Sequence, residues 1–226
     1  MTMVVSKNKN YLKLNNCDRF MKITAVVQEN SGFNVSRFDI KELLEHIDDV
    51  KLAVFQDMDV DCLVAKTVGK HFEMVEMPRN DVVLFHDKSI KIHSPPIPSG
   101  SDKSSAEYFV WDEDTGILFQ RIPANKYTSC NYHTKGDERF YNIKGKSIVC
   151  ICHPEKNSFE GFKNLENGNS VFMSSGYCHG LYAPSGPSYN IILMPPGTGR
   201  SDHHYPERCP KQLYFLLPEK CISYVE

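Results

Sequence analysis

From residue 105 onward the chain breaks into short runs rich in Val, Ile, Phe and Tyr, with no helical periodicity between them. The runs lie at 107–111, 117–121, 129–133, 138–143, 147–152, 170–174, 180–183, 189–194 and 213–217. Asp114-Thr115-Gly116, Lys144-Gly145-Lys146 and Asn167-Gly168-Asn169 supply turn chemistry between them. Many short strands without intervening helices predict an all-β sandwich or barrel. No internal repeat divides the segment into two copies of one unit.

The first part of the chain reads differently. After a polar start, a strand is expected at 22–27 and a helix at about 38–48. Ser36-Arg37-Phe38-Asp39 has the spacing of a capping box, with Asp in place of Glu or Gln. Ile40, Leu43, Leu44 and Ile47 then fall on one helical face, and the helix should end near Asp48-Asp49. Further strands are expected at 52–55, 62–66, 82–86 and 89–93. Residues 94–105, rich in Pro, Ser and Gly, read as an exposed connector. The expected organisation is an N-terminal extension over 1–104 and a barrel with a C-terminal strand over 105–226.

Hydrophobic residues make up 41% of the chain and charged residues 24%, with a formal net charge of -2. That balance offers no electrostatic footprint for nucleic acid and no polybasic membrane contact. No apolar run approaches the ~20 residues that span a bilayer. The apolar patch near the N-terminus is too short for a signal-peptide core, so the cytosol is the expected compartment. The eight cysteines include no Cys-x2-Cys pair, which argues against a zinc ribbon. Reduced, structural thiols are expected, with Cys150 and Cys152 on one strand face.

Three residues carry the expected chemistry. Alternate side chains of a strand share a face, so Asn131 and His133 point the same way. The loop 134–137 lets Glu138 enter the next strand facing the same interior, and Phe140 and Asn142 continue its inward row. His179 follows about one hairpin later, just ahead of the run at 180–183. Two imidazoles and one carboxylate are the donor set of a facial triad, which leaves coordination positions open for dioxygen or substrate.

The spacing Asn131-x-His133-x4-Glu138-x6-Gly145, followed by Gly168-x5-Ser174-x-Gly176-x2-His179, resembles the two conserved motifs of the cupin superfamily over roughly residues 105–200. The departures are Asn131 for the first histidine, Ser174 for the usual proline and Ala183 for the final asparagine, with Ala124-Asn125 near the place of the leading glycine. The resemblance implies a cupin-type double-stranded β-helix, or jelly-roll barrel, with His133, Glu138 and His179 as metal ligands. By the same resemblance Asn131 is a weak ligand or an outer hydrogen bonder.

Within cupins, Tyr132-His133-x4-Glu138-Arg139-Phe140-Tyr141 is similar to the 3-hydroxyanthranilate dioxygenase group. That group also lacks the first histidine and binds iron through His, Glu and His. Its glutamate lies one residue further on, and it has a substrate-binding arginine after the last histidine, where this chain has Gly180-Leu181-Tyr182-Ala183.

The implied function is a mononuclear non-haem Fe(II) dioxygenase of a small molecule, with Mn, Ni or Zn as other metals that suit the triad. Phe140, Phe172 and Leu181 are expected to exclude water beside the inward Asn142, while Tyr177 and Asn131 orient substrate. Two other readings stand beside it. One is a redox-neutral isomerase, epimerase or lyase acting on a sugar or acid; the other is a non-catalytic ligand-binding or scaffold cupin. Residues 1–104 are expected to extend the sheet, cover the barrel mouth or form a homodimer contact.

Other motifs are weaker. Met194-Pro-Pro-Gly-Thr-Gly-Arg-Ser201 has the outline of a phosphate loop but lacks its first glycine and its lysine; a strand-exit loop is expected. Asp57 and Asp59 have the outline of a phosphatase nucleophile loop, but a solvated acidic turn is expected. His203 and His204 point apart as neighbours, so a surface or partner-facing pair is expected. Cys178 flanks His179 at the expected mouth of the pocket.

Overall fold

The computed structural model describes residues 22–56, 72–76, 82–99, 106–153, 158–198 and 202–204. Contacts divide the chain into two compact units, Met1–Ile90 and Lys91–Glu226. The strands expected at 62–66 and 213–217, and Asp57 and Asp59, lie outside the described residues. Among the described residues, no helix is long and apolar enough to cross a membrane.

The first unit is an antiparallel sheet with one short helix. Its strands are β1 (Lys22–Glu29), β2 (Gly32–Phe38), β3 (Val50–Gln56), β4 (Phe72–Glu76) and β5 (Val82–Asp87), in the order β2-β1-β3-β5-β4. Helix α1 (Ile40–Glu45) sends Leu43 into a cluster with Ile23, Ala25, Ala53, Phe55, Val83 and Phe85. The alternation of these residues along β1, β3 and β5 builds one apolar face.

The helix is shorter than its periodicity predicts, and its cap lies three residues later. Asp39 Oδ1 accepts from the backbone N–H of Lys41 and of Glu42, at 2.8 and 2.9 Å, while Glu42 Oε2 accepts from Asp39 N at 2.9 Å. Ser36 cannot serve as the cap because it pairs with Ala25 inside β2. At the other end His46 closes the helix, and Ile47–Asp49 forms the turn into β3.

The second unit holds β6 (Ile92–Ser99), β7 (Ala106–Asp112), β8 (Ile117–Ile122), β9 (Glu138–Lys144), β10 (Lys146–His153), β11 (Ser158–Glu166), β12 (Ser170–Met173), β13 (Cys178–Tyr182) and β14 (Ser188–Leu193). One sheet runs β12-β9-β14-β8-β7-β6 and the other β11-β10-β13. Bridges from Tyr127 to Tyr182 and from Asn131 to His179 lay the 127–131 segment along the free edge of β13. From β8 onward the chain therefore alternates between the sheets: β8, then 127–131, then β9, then β10 and β11, then β12, β13 and β14. Antiparallel pairing throughout and this order of crossing are the double-stranded β-helix, the jelly-roll path expected above.

Residues 94–99, expected as part of a connector, continue from the end of the strand expected at 89–93 as the edge strand β6, paired with β7. An edge position tolerates residues without an N–H, and the register shifts between Ile92 and Ile97, around the prolines. That pairing draws residues from 91 into the second unit, ahead of the division expected at 104.

Inward rows from both sheets fill the barrel: Leu118 and Ile122 of β8, Phe140 of β9, Val149 of β10, Leu165 of β11, Leu181 of β13 and Ile192 of β14. Burying a side chain such as Phe140 or Leu181 contributes about 1.5–3 kcal/mol. Cys130, Cys150, Cys152 and Cys178 are buried in a separate cluster with Ile148 and Tyr182. Gly145 makes the β9–β10 turn at φ 75°, and a Cβ there would collide with the Pro187 carbonyl, so only glycine fits.

Candidate metal centre

Two backbone exchanges bring distant residues together at one end of the barrel. Asn131 and His179 donate N–H to each other's carbonyl, at 3.1 and 2.9 Å, and Tyr132 and His204 do the same at 3.0 Å each. The first exchange sets His133, two residues beyond Asn131, near His179. The second carries Asp202 and His203 to the same place. Glu138 opens β9 opposite Met173 of β12, and Gly176 N donates to the His133 carbonyl at 2.7 Å.

His133, Glu138 and His179 are all buried, and each offers one ligand atom within 4.8 Å of the others. Glu138 spans the two rings: its Oε2 lies 2.7 Å from His179 Nε2, and its Oε1 lies 3.3 Å from His133 Nε2. His179 Nδ1 stands 3.1 Å from the Tyr177 carbonyl, to which it donates, so the neutral ring keeps its Nε2 lone pair free to ligate a metal. Glu138 Oε2 nevertheless makes no hydrogen bond with that nitrogen, so two donor atoms converge to 2.7 Å without a directed bond between them. The arrangement therefore fits a metal ion held by both atoms.

The electrostatics agree. Burial opposes the charged form of His179, but the adjacent Glu138 carboxylate outweighs it and raises the pKa. Burial also opposes ionisation of Glu138, and the two imidazoles overcome that and lower its pKa. His133 is shifted down, chiefly by burial. Metal binding must displace the proton that the raised pKa of His179 retains. Affinity for a divalent cation should then rise about tenfold per pH unit below that pKa and level off above it. Zinc titrations of the metal-free protein across pH 6 to 9 measure this, and a flat profile would remove His179 from the ligand set.

The sequence expectations fare differently residue by residue. Asn131 lines the cavity beside the triad, its Nδ2 3.2 Å from His133 Nε2. Phe140 and Leu181 line it too. Phe172 does not: it is 47% exposed and lies under the Arg139 guanidinium on the outside, because Val171 and Met173 are the inward residues of β12. Asn142 points inward but is engaged at another level of the barrel, where its Nδ2 donates to Asn190 Oδ1 at 3.2 Å. Tyr177 packs its ring near His153 rather than lining the cavity, and what it offers the site is its backbone carbonyl.

His203 corrects the expectation of a surface pair. Its ring packs edge-on to His133 at 4.6 Å and lies 5.5 Å from Trp111, within the cavity wall. Burial, reinforced by His133, holds its pKa down at about 4. Asp202, also missed, is fully buried and accepts from Thr134 N, Thr134 Oγ1 and Lys135 N at 3.1, 2.7 and 2.9 Å. It thereby pins the loop between His133 and Glu138, and its Oδ2 stands 3.9 Å from His133 Nδ1. No local pattern marks Asp202 or His203, which reach the site only through the Tyr132–His204 pairing.

The triad opens on a cavity of about 330 Å³. Its wall combines apolar and aromatic side chains, including Tyr108, Trp111, Leu118, Phe140, Ile192 and Met194, with a comparable polar share from Gln120, Thr128, Ser129, Asn131, His203 and the triad, and among the described residues none that lines it is Lys or Arg.

No family model matches this chain, and no curated protein matches it. Solved structures similar to part of it include the capsular polysaccharide assembling protein CapF from Staphylococcus aureus, 15% identical over 49% of this chain with a TM-score of 0.39. The match covers 34% of that chain, so the present chain spans about a third of its length. The Drosophila melanogaster CENP-C cupin domain is 11% identical, with 44% of this chain and 74% of that chain covered and a TM-score of 0.36. A Klebsiella pneumoniae protein with a double-stranded β-helix domain is 12% identical, with 47% and 88% covered and a TM-score of 0.38.

Proposed function

We propose that the barrel is a metal-dependent enzyme acting on a small molecule, with His133, Glu138 and His179 holding a single divalent cation. The observation that carries this reading is the Glu138 carboxylate set 2.7 Å from a His179 nitrogen whose tautomer is fixed from behind by a backbone carbonyl. An outer partner on the far nitrogen is how metal-binding histidines are oriented. Fe(II) is the favoured metal and dioxygenation the favoured reaction, because two imidazoles and a carboxylate leave open positions at which iron brings dioxygen and substrate together.

The chain's own residues set the conditions for that chemistry. Phe140, Leu181, Ile192 and Met194 keep bulk water away from the triad, and the Asn131 amide is a hydrogen bonder beside it. The aromatic side of the wall, Tyr108, Trp111 and Phe140, gives an oxidisable ring a surface to lie against, while Gln120, Thr128, Ser129 and Asn131 offer it polar partners. The missing arginine after His179, together with the lack of Lys or Arg among the described residues of the wall, disfavours an anthranilate-type carboxylate as substrate. Mn, Ni and Zn also suit the donor set, and with them the redox-neutral alternative would apply.

Metal analysis of protein purified without chelator, followed by oxygen-uptake assays, tests this reading. Iron near one equivalent per chain and uptake with a member of a catechol-like, thiol or keto-acid panel are expected. Protein that neither retains nor rebinds any transition metal at this triad would overturn it.

A further inference from the structure

Gln120 is a buried amide without a partner, on the wall of the cavity. Leu118, Gln120 and Ile122 alternate onto the inner face of β8, where Leu118 and Ile122 belong to the barrel core. Gln120 is completely buried and lines the cavity. Neither its Oε1 nor its Nε2 makes a hydrogen bond among the described residues. Its cross-strand neighbour on β14, Asn190, is the opposite case. Asn190 Nδ2 donates to Ser147 Oγ at 3.3 Å, and its Oδ1 accepts from Asn142 and Ser188 at 3.2 and 3.4 Å.

Buried side-chain amides are almost always satisfied, and an unsatisfied one destabilises the fold. Methionine or leucine would fill the same space between Leu118 and Ile122 without that penalty. A carboxamide offers an acceptor and a donor side by side, so it is matched by a ligand edge with the complementary pair in the same plane.

Taking the cavity as the small-molecule site proposed above, we infer that Gln120 determines its specificity by pairing with an uncharged cis-amide or lactam edge of the ligand. The ligand N–H donates to Gln120 Oε1, and Gln120 Nε2 donates to the ligand carbonyl. The ring or chain bearing that edge lies against Tyr108, Leu118 and Ile192, and the lack of Lys and Arg among the described residues of the wall fits a neutral group.

The probe is 2-pyridone, whose N–H and C=O form such an edge, with N-methyl-2-pyridone as the control that lacks the donor. Binding is measured by ligand-observed NMR on the full chain, metal-free and metal-loaded, for wild type, Gln120→Met and Gln120→Leu. Wild type should bind 2-pyridone at least about tenfold more tightly than either variant, while N-methyl-2-pyridone binds all three alike. The variants should keep their metal content and melt at the same temperature as wild type or higher. Absent or equal 2-pyridone binding overturns the inference, as does a lower melting temperature in both variants, which would make Gln120 a structural group. Discrimination that persists in a protein unable to bind metal supports the Gln120 pairing and sinks the metal-enzyme reading instead.

Discussion

Glu138→Ala is expected to abolish metal retention while leaving the metal-free barrel folded. The carboxylate is the anionic member of the triad, and it faces both imidazoles from a buried position at the start of β9. Without it, a divalent cation would enter a low-dielectric site with two neutral donors and no charge to offset its own. The loss in affinity should exceed the ~10–100-fold that follows when only an outer hydrogen-bond partner of a ligand is removed. The metal-free protein tolerates the change because His179, relieved of the carboxylate that raises its pKa, becomes neutral. Melting curves with and without added Fe(II) or Zn(II) separate the two effects. Wild type should gain about 2.7 kcal/mol at a metal concentration a hundredfold above its dissociation constant, and the variant nothing. An undiminished metal-induced shift in Glu138→Ala would place the metal elsewhere.

What the sequence reveals of this site follows the range of the interactions involved. Strand alternation is local, so Asn131, His133, Glu138, Phe140 and Leu181 could be placed on the inner face before any pairing was known. The phase of β12 was not local. It is set by the pairing of Val171 with Phe140, 31 positions earlier in the chain, and a shift of one residue exchanges the faces, which is why Phe172 lies outside. Asn142 has the expected face but sits at the level of Asn190 and Ser188, because alternation fixes which side a residue takes and not how far along the barrel it stands. The helix cap shows the same limit. Ser36 and Asp39 both have cap chemistry, and only the pairing of Ser36 with Ala25 decides between them. Asp202 and His203 depend wholly on a non-local bridge, with nothing around them in sequence to announce it.

Asp202→Asn should accordingly destabilise the barrel although Asp202 is not a member of the triad. Its carboxylate accepts two backbone N–H groups and the Thr134 hydroxyl on the loop joining His133 to Glu138, and His204 Nε2 lies 3.2 Å from it. Burial opposes its ionisation, but these hydrogen bonds prevail and hold its pKa at about 2, against 3.8 for an ordinary aspartate. The depressed pKa means that the ionised form stabilises the fold above pH ~4, by about 2 kcal/mol, and that this is lost as pH falls towards 2. About half should already be gone at pH 3. Asparagine preserves the shape but turns an NH2 group towards donors and removes the charge, for a total loss of about 2–3 kcal/mol near neutral pH. Urea unfolding of wild type and Asp202→Asn at pH 7 and pH 3 measures the gap, which should narrow by about 1 kcal/mol at the lower pH. Because the loop's anchoring also sets the approach of His133 to Glu138, metal affinity should fall in the same variant with the three ligands untouched. A variant as stable as wild type at pH 7, with unaltered metal affinity, would show that the loop holds the triad's geometry without its buried carboxylate.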